Sequence, residues 1–331
     1  MNYILTGAGF TANWGGWPAD KLLSSLLSSN AIKTNQDLRL FLSKTNNQNF
    51  ESILDELRKL AEDDPKQWKD KLRILEGAII EDFKEMEQDY ARAQSSYNHD
   101  IENLFAQGNI IFTLNQDLLL ERYFTSLARQ CFHPGLKPRG HPQTFYGANY
   151  QQMIAWDMGG DEIQIYDENR LKDFNSSKRS STSIPYIKLH GSINWRDQSS
   201  GTLMIMGANK EDQIAKHALT KKYFEIFKQS LNIPNSHLLV IGYSFSDRHV
   251  NEIIFDAMLN SRLKLFIWDT KEYAELKIYL EKKIHELNPE YEEKKDIILS
   301  LAGVFTDKIN ELIKNPESSD KIKRITKQIF I

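Results

Sequence analysis

Five short apolar runs decide what this chain can fold into: Tyr3 to Leu5, Ile110 to Thr113, Tyr186 to Leu189, Leu238 to Ile241 and Leu265 to Trp268. Each is too short for a helix and rich in Ile, Val, Leu or aromatic residues, so each reads as a strand. None alternates polar with apolar positions. A strand that is apolar on both sides must be covered on both faces, as in a parallel sheet with helices above and below it. The predicted architecture is α/β.

The interval between the first two strands far exceeds a minimal crossover connection. Phe50, Ile53, Leu54, Leu57 and Leu60 recur in it at helical spacing, and Trp68, Leu72, Leu75, Ile79, Phe83, Met86 and Tyr90 form one apolar stripe. The interval is predicted to be a helical insertion packed against the sheet, its stripe serving as core. Asp157 to Ser183, with Gly159, Gly160 and a serine-rich stretch, reads as a mobile surface loop. From about Glu272 to Ile331 the chain is rich in Lys and Glu. There Ile297, Leu301, Phe305, Ile309 and Leu312 share a helical face, and Pro289 and Pro316 punctuate it. This tail is expected to be helical, without a strand, and to serve packing or assembly.

The 42 basic and 45 acidic residues leave a net charge of -3, too little to argue for nucleic acid or a membrane as partner, and neither is expected. Cys131 is the single cysteine, which excludes an internal disulfide and a thiolate zinc module within the chain. No histidine pair has helix-face ligand spacing, and no metal is expected. Met1 to Gly9 passes directly into a strand and then glycines, so neither a signal peptide nor a membrane span fits, and the expected compartment is the cytoplasm.

The unusual polar residues follow the strands. Gly7-Ala8-Gly9-Phe10-Thr11 comes after the first, Asn115 and Asp117 after the second, His190-Gly191 after the third, Gly242-Tyr243-Ser244 after the fourth and Asp269 after the fifth. Ligands of an open parallel sheet bind beyond the carboxyl ends of its strands, so these segments converge on one crevice. Glycines at the first turn allow backbone to approach a pyrophosphate, though the pair lacks the third glycine of the common dinucleotide fingerprint. Asn115 offers a donor and an acceptor with which to hold a water or a ribose hydroxyl; capping is the plainer role for Asn115 and Asp117. His190, at a strand end, is a candidate base, and Gly191 beside it leaves room for a ligand. His133 and His141 have no such setting.

Gly7-Ala8-Gly9-Phe10-Thr11, Thr113-Leu114-Asn115-Gln116-Asp117, Lys188-Leu189-His190-Gly191-Ser192 and Gly242-Tyr243-Ser244-Phe245-Ser246-Asp247 occur in sirtuin order, and Asn13, Gly15, Gly16 and Trp17 fit the same pattern. Together they resemble the sirtuin-like domains of bacterial antiphage defence proteins. The resemblance implies a sirtuin-type Rossmann sheet over residues 1–270 with a helical insertion at 30–108, a helical extension at 271–331, and no zinc module. It implies an NAD hydrolase that depletes NAD in antiphage defence, releasing nicotinamide and ADP-ribose. Asn115 would orient the attacking water, His190 would hold a ribose hydroxyl or take the proton, and Asp117 would support the asparagine. NAD itself would meet Gly7, Ala8, Gly9, Phe10, Thr11, Asn13, Thr113, Gly191, Gly242, Tyr243, Ser244, Asp247 and Asp269. The partners implied are further copies of the chain, in a homo-oligomer, and a ring-forming ATPase that translocates DNA. Leu114 stands where protein-deacylating sirtuins usually have Gln, and Gly242-Tyr243-Ser244 where they have Gly-Thr-Ser. A deacylase or ADP-ribosyltransferase is therefore the second reading and a non-catalytic sensor of NAD or ADP-ribose the third. No hydride-acceptor site supports a dehydrogenase.

Overall fold

The computed structural model describes residues 1–13, 15–16, 19–44, 50–93, 99–123, 130–134, 183–197, 201–207, 209–287, 289, 299–314 and 318–330. All five anticipated strands form, as β1 (Asn2–Thr6), β2 (Ile110–Thr113), β4 (Ser183–Lys188), β7 (His237–Ile241) and β8 (Lys264–Trp268). With β3 (Gln130–Phe132) and β9 (Leu301–Phe305) they make a seven-stranded sheet in the order β3-β4-β2-β1-β7-β8-β9. Every neighbouring pair is parallel. Apart from the edge strand β3, the order runs outward from β1 through β2 and β4 on one side and through β7, β8 and β9 on the other. This is the 3-2-1-4-5-6 order of a Rossmann sheet.

The period-two alternation of a strand divides the core. Tyr3 and Leu5 of β1 join Phe112, Val240 and Ile267 on one face, under helices Ala218–Leu231, Arg248–Asn260 and Tyr273–Leu287. Ile4 joins Ile111, Leu239, Phe266 and Trp268 on the other, under helices His99–Ala106 and Ser319–Phe330. Both faces are buried, which explains the unalternating strands.

The insertion is helical, as expected, and contains Phe50–Asp63 and the long helix Pro65–Ala93. Its stripe packs less on the sheet than on a hairpin. Leu54, Leu57, Leu75 and Ile79 form a third core with Ile193, Met204 and Met206, carried on or beside the antiparallel pair β5 (Gly191–Asp197) and β6 (Gly201–Met204).

The tail departs from its expected form, because β9 is the sixth strand of the Rossmann order rather than part of a helix. The reason is periodicity. Ile297, Leu301, Phe305 and Ile309 are separated by steps of four, and residues four apart share a face in a strand as well as in a helix. Gly303 favours the strand: a Cβ there would lie 3.0 Å from Cδ1 of Phe266 on β8, a tight contact that the bare glycine backbone avoids. Around β9 the tail is helical, at Tyr273–Leu287, Ile309–Lys314 and Ser319–Phe330. Residues 157–182 of the anticipated surface loop, Trp17, His141, Ile297 and Pro316 lie outside the described residues, and Ser183 opens β4.

Candidate active site

The strand order reverses between β1 and β7, and there the two turns lock together. Gly7 N donates to Ile241 O at 3.0 Å and Gly9 N to Gly242 O at 2.8 Å. Gly242 has φ +62°, and a Cβ on it would stand 2.2 Å from Phe10 N. A Cβ on Gly9 would stand 2.9 Å from Gly242 Cα. Gly9 and Gly242 are therefore required by each other's backbone, a reason for glycine at position 9 that stands apart from the approach of a pyrophosphate expected of the first turn. Gly191 is a second such case: at φ +76° its missing Cβ leaves room for Leu203 O, only 2.1 Å from where that carbon would stand, so the glycine serves the β5–β6 hairpin.

A cavity of about 490 Å³ opens at this switch point. Of the anticipated residues, Gly7, Ala8, Gly9, Thr11, Asn115, Asp117, His190, Gly242, Tyr243, Ser244, Asp247 and Asp269 line it. Four do not. Phe10 is fully buried in the core, Thr113 lies beneath the floor, Gly191 turns into the hairpin, and Asn13 borders a smaller cavity of about 110 Å³ with Gly9, Gly242 and Asp269.

Asn115 is pinned at both ends. Its backbone N–H donates to Thr113 Oγ1 at 3.0 Å and its Nδ2 donates to Gly7 O at 3.0 Å, while the Thr113 hydroxyl is fixed by Thr6 Oγ1 at 2.8 Å. The amide thus bridges the first two strand ends, with Oδ1 left to accept. Asp117 turns inward, where its Oδ1 caps Leu119 N at 2.9 Å. Burial pushes its carboxyl up to about 6, against the pull of Lys188. Lys188, with no solvent exposure, donates to the carbonyls of Asp117 and Gln116 and to Glu121 Oε1 at 2.8 Å. Gln116 Nε2 in turn holds Ile205 O at 2.7 Å.

His190, only 3% exposed, faces His249 across an Nε2–Nε2 distance of 3.0 Å. Burial drives the His190 imidazole down to about 3 and that of His249 to about 4, with Asp247 opposing both shifts, so both rings are neutral near pH 7. Lys210 bridges Asp247 Oδ1 at 2.6 Å and Glu51 Oε1 at 2.7 Å. Burial works against the Lys210 charge, but the two carboxylates outweigh it and raise its pKa. Burial works to raise Asp247, but the His190 ring, charged only in the acid range where this carboxyl titrates, and the Lys210 ammonium outweigh it and hold the carboxyl below the usual carboxylate range.

The loop after β7 is bent to deliver these groups. Phe245 adopts φ +52°, a strained conformation for a bulky residue that is held by Asn251 Nδ2 donating to its carbonyl at 2.8 Å. The Tyr243 hydroxyl accepts from Asp247 N at 3.1 Å, and Tyr279 of the tail donates to Ser244 O at 2.6 Å. Glu51, Lys210 and His249 were not singled out from the sequence, and Gln116 and Lys188 stood in the ordered motifs without a role. The first three come from helices, and no strand-end signal points to them. Phe50, Phe83 and Met86 of the insertion also wall the cavity, so part of its apolar stripe contacts the site as well as the core.

A Rossmann sheet with a cavity at its switch point, floored by the polar ends of β1, β2 and β7 and walled by apolar side chains, is the architecture of nucleotide-binding α/β proteins. Within that class the family model of the SIR2-like domain matches residues 109–297, and the chain belongs to the SIR2-like family. NAD-related enzymatic activity is the general character of that family. No curated protein matches the chain. Among the described residues no helix is long and apolar enough to cross a membrane.

Proposed function

We propose that the protein is an NAD glycohydrolase that cleaves the nicotinamide–ribose bond with water. The observation that carries this reading is the meeting of Asn115 and His190 on one cavity at the switch point, the asparagine already pinned through Nδ2. Breaking the bond develops an oxocarbenium-like ribose while the pyridinium departs neutral, so no general acid is needed. Asn115 Oδ1 accepts from the attacking water and aims it at the anomeric carbon, and the proton that the water loses as the new C–O bond forms passes to solvent in the cavity. A neutral His190 accepts a hydrogen bond from a ribose hydroxyl at Nε2, which exchanges its contact with His249 for the substrate. With its pKa near 3 it is a weak proton sink at neutral pH, which favours positioning over full proton removal. Asp117, capping Leu119 and buried, supports the loop that carries Asn115. Phe50, Phe83 and Met86 supply apolar wall against the nicotinamide side.

Asn115→Ala is expected to lower nicotinamide release about a hundredfold or more, the usual cost of one positioned polar group. Purified protein incubated with NAD, with and without an acetylated peptide, distinguishes the alternatives. Release without peptide supports the hydrolase, release only with peptide supports a deacylase or transferase, and NAD binding without release supports a sensor. The same reading places the enzyme in the cytoplasm as an effector of antiphage defence, supported by the four ordered motifs. An unrestrained NAD hydrolase would drain its own cell, so control by assembly, with further copies or with a DNA-translocating ring ATPase, belongs to the proposal. The surface for it is narrower than the tail's apolar stripes imply. Ile322, Ile325 and Ile329 are buried in the chain's own core, which leaves Tyr273, Ile278 and Leu299 as the large exposed apolar residues among the described residues of the tail.

A further inference from the structure

His190 follows β4 and His249 lies in the first turn of helix Arg248–Asn260, yet the fold brings their Nε2 atoms to 3.0 Å. Asp247 adjoins them, and one ligating atom from each of the three residues lies within 4.8 Å of the others. Two imidazole nitrogens this close fit only two situations. One ring donates its proton to the other, or both lone pairs converge on a cation. Two nitrogens bound to one tetrahedral zinc at about 2.0–2.1 Å stand ~3.4 Å apart, so a few tenths of an ångström of ring movement separates the two. Lys210 engages Oδ1 of Asp247, and a carboxylate carries two oxygens, so the ion pair does not exhaust its acceptor capacity. The charges of Asp247 and Glu51 against Lys210 leave one net negative, which suits a cation.

We propose that His190, His249 and Asp247 hold one divalent cation of the zinc class, and that occupancy switches the NAD site off. The two-nitrogen, one-oxygen donor set selects a borderline transition metal over calcium or magnesium, which take oxygen ligands. Three protein ligands leave a fourth position for water from the cavity. The switch rests on the hydrolase reading: coordination consumes the His190 lone pair that would receive the ribose hydroxyl. It also sets a double positive charge beside a substrate pyridinium and an oxocarbenium-like transition state, both positive. The cation is thus an inhibitor and no part of the reaction.

The test uses the full chain after chelator stripping, dialysed against zinc for metal analysis and against cobalt(II) for its visible absorption. One cation per chain is expected, with the intense visible bands of a four-coordinate cobalt site. His249→Gln and Asp247→Asn should each weaken binding by roughly tenfold or more, and His285→Gln, on a different helix, should bind as wild type does. Circular dichroism establishes that the variants are folded. Absence of stoichiometric binding, or binding that neither substitution weakens, overturns the site. Zinc at site-filling concentration should stop nicotinamide release and a chelator restore it. An unchanged rate with the site full overturns the switch, whereas absence of hydrolysis under every condition overturns the hydrolase reading and the switch with it, leaving the binding measurement to decide the site.

Discussion

A lysine with no solvent exposure has to be compensated atom by atom, and Lys188 is: two carbonyls of the Asn115 loop and the carboxylate of Glu121 take its three protons. Removing one partner of such a buried pair leaves the other charged and unpaired, which costs about 3–5 kcal/mol. Lys188→Met should therefore lower unfolding free energy by that much in urea titrations, and adding Glu121→Leu should recover most of it. A double variant as unstable as the single would show that the pair is not the source of the cost. Asp117 gives a second prediction, with a pH sign. Its folded pKa, about 6, lies above the ordinary 3.8, so the folded state binds more protons between those values and stability falls as pH rises through them. Asn at this position still accepts from Leu119 N without that penalty. The stability of Asp117→Asn relative to wild type should thus increase by roughly 1 kcal/mol from pH 5 to pH 7. A constant difference would place the charge of Asp117 in a better-solvated site. Asn115, Asp117 and His190 were legible because each follows an apolar run at a position where parallel sheets bind ligands. Lys188 was hidden by its own run, since a charged residue inside Tyr186 to Leu189 reads as an interruption until Glu121 is seen beside it.

At the scale of elements the five central strands could be read because both their faces are buried, while β3, β5, β6 and β9 could not. β3 is three residues long, and β9 is an edge strand with only Leu301 buried, so its composition carries little pattern. Yet β9 covers the rim of β8 and leads to the helix Ser319–Phe330, whose Ile322, Ile325 and Ile329 close one face of the sheet. A chain ending after Leu287 would expose an unpaired, apolar β8 edge and the side chains of Phe266 and Trp268. Such a chain is expected to aggregate or to lose cooperative thermal unfolding. If it stays monomeric with the melting temperature of the whole chain, β9 is dispensable. Gly9→Val belongs to this scale too. Its branched carbons would meet Gly242 at the β1–β7 junction, so the variant should lose stability in the absence of any ligand, with thermal unfolding as the measurement. Weaker NAD binding in a variant of unchanged stability would return that glycine to the pyrophosphate.

Across the whole molecule three cores meet at one cavity: the two faces of the sheet and the insertion on its hairpin. The insertion reaches the switch point through a polar chain, from Glu51 on its helix to Lys210 and on to Asp247 in the loop after β7, beside which Arg58 donates to Met206 O and Asp55 accepts from Asn209 N. Apolar packing gives the insertion its own stability but does not fix its distance from the sheet. The ion chain contributes to that, because Lys210 is only 13% exposed and its two partners lie at 2.7 and 2.6 Å. Glu51, at 34% exposure, is the partly solvated end, so its share is modest. Glu51→Gln and Lys210→Met are expected to couple by about 1 kcal/mol in a double-mutant cycle of unfolding free energies. Both single variants should raise the KM for NAD more than they lower kcat, since they loosen the wall around the nucleotide and leave Asn115 in place. Zero coupling together with an unchanged KM would mean that the insertion holds its position without the ion chain, by packing and by the Arg58 and Asp55 hydrogen bonds, and that the chain serves only the loop after β7.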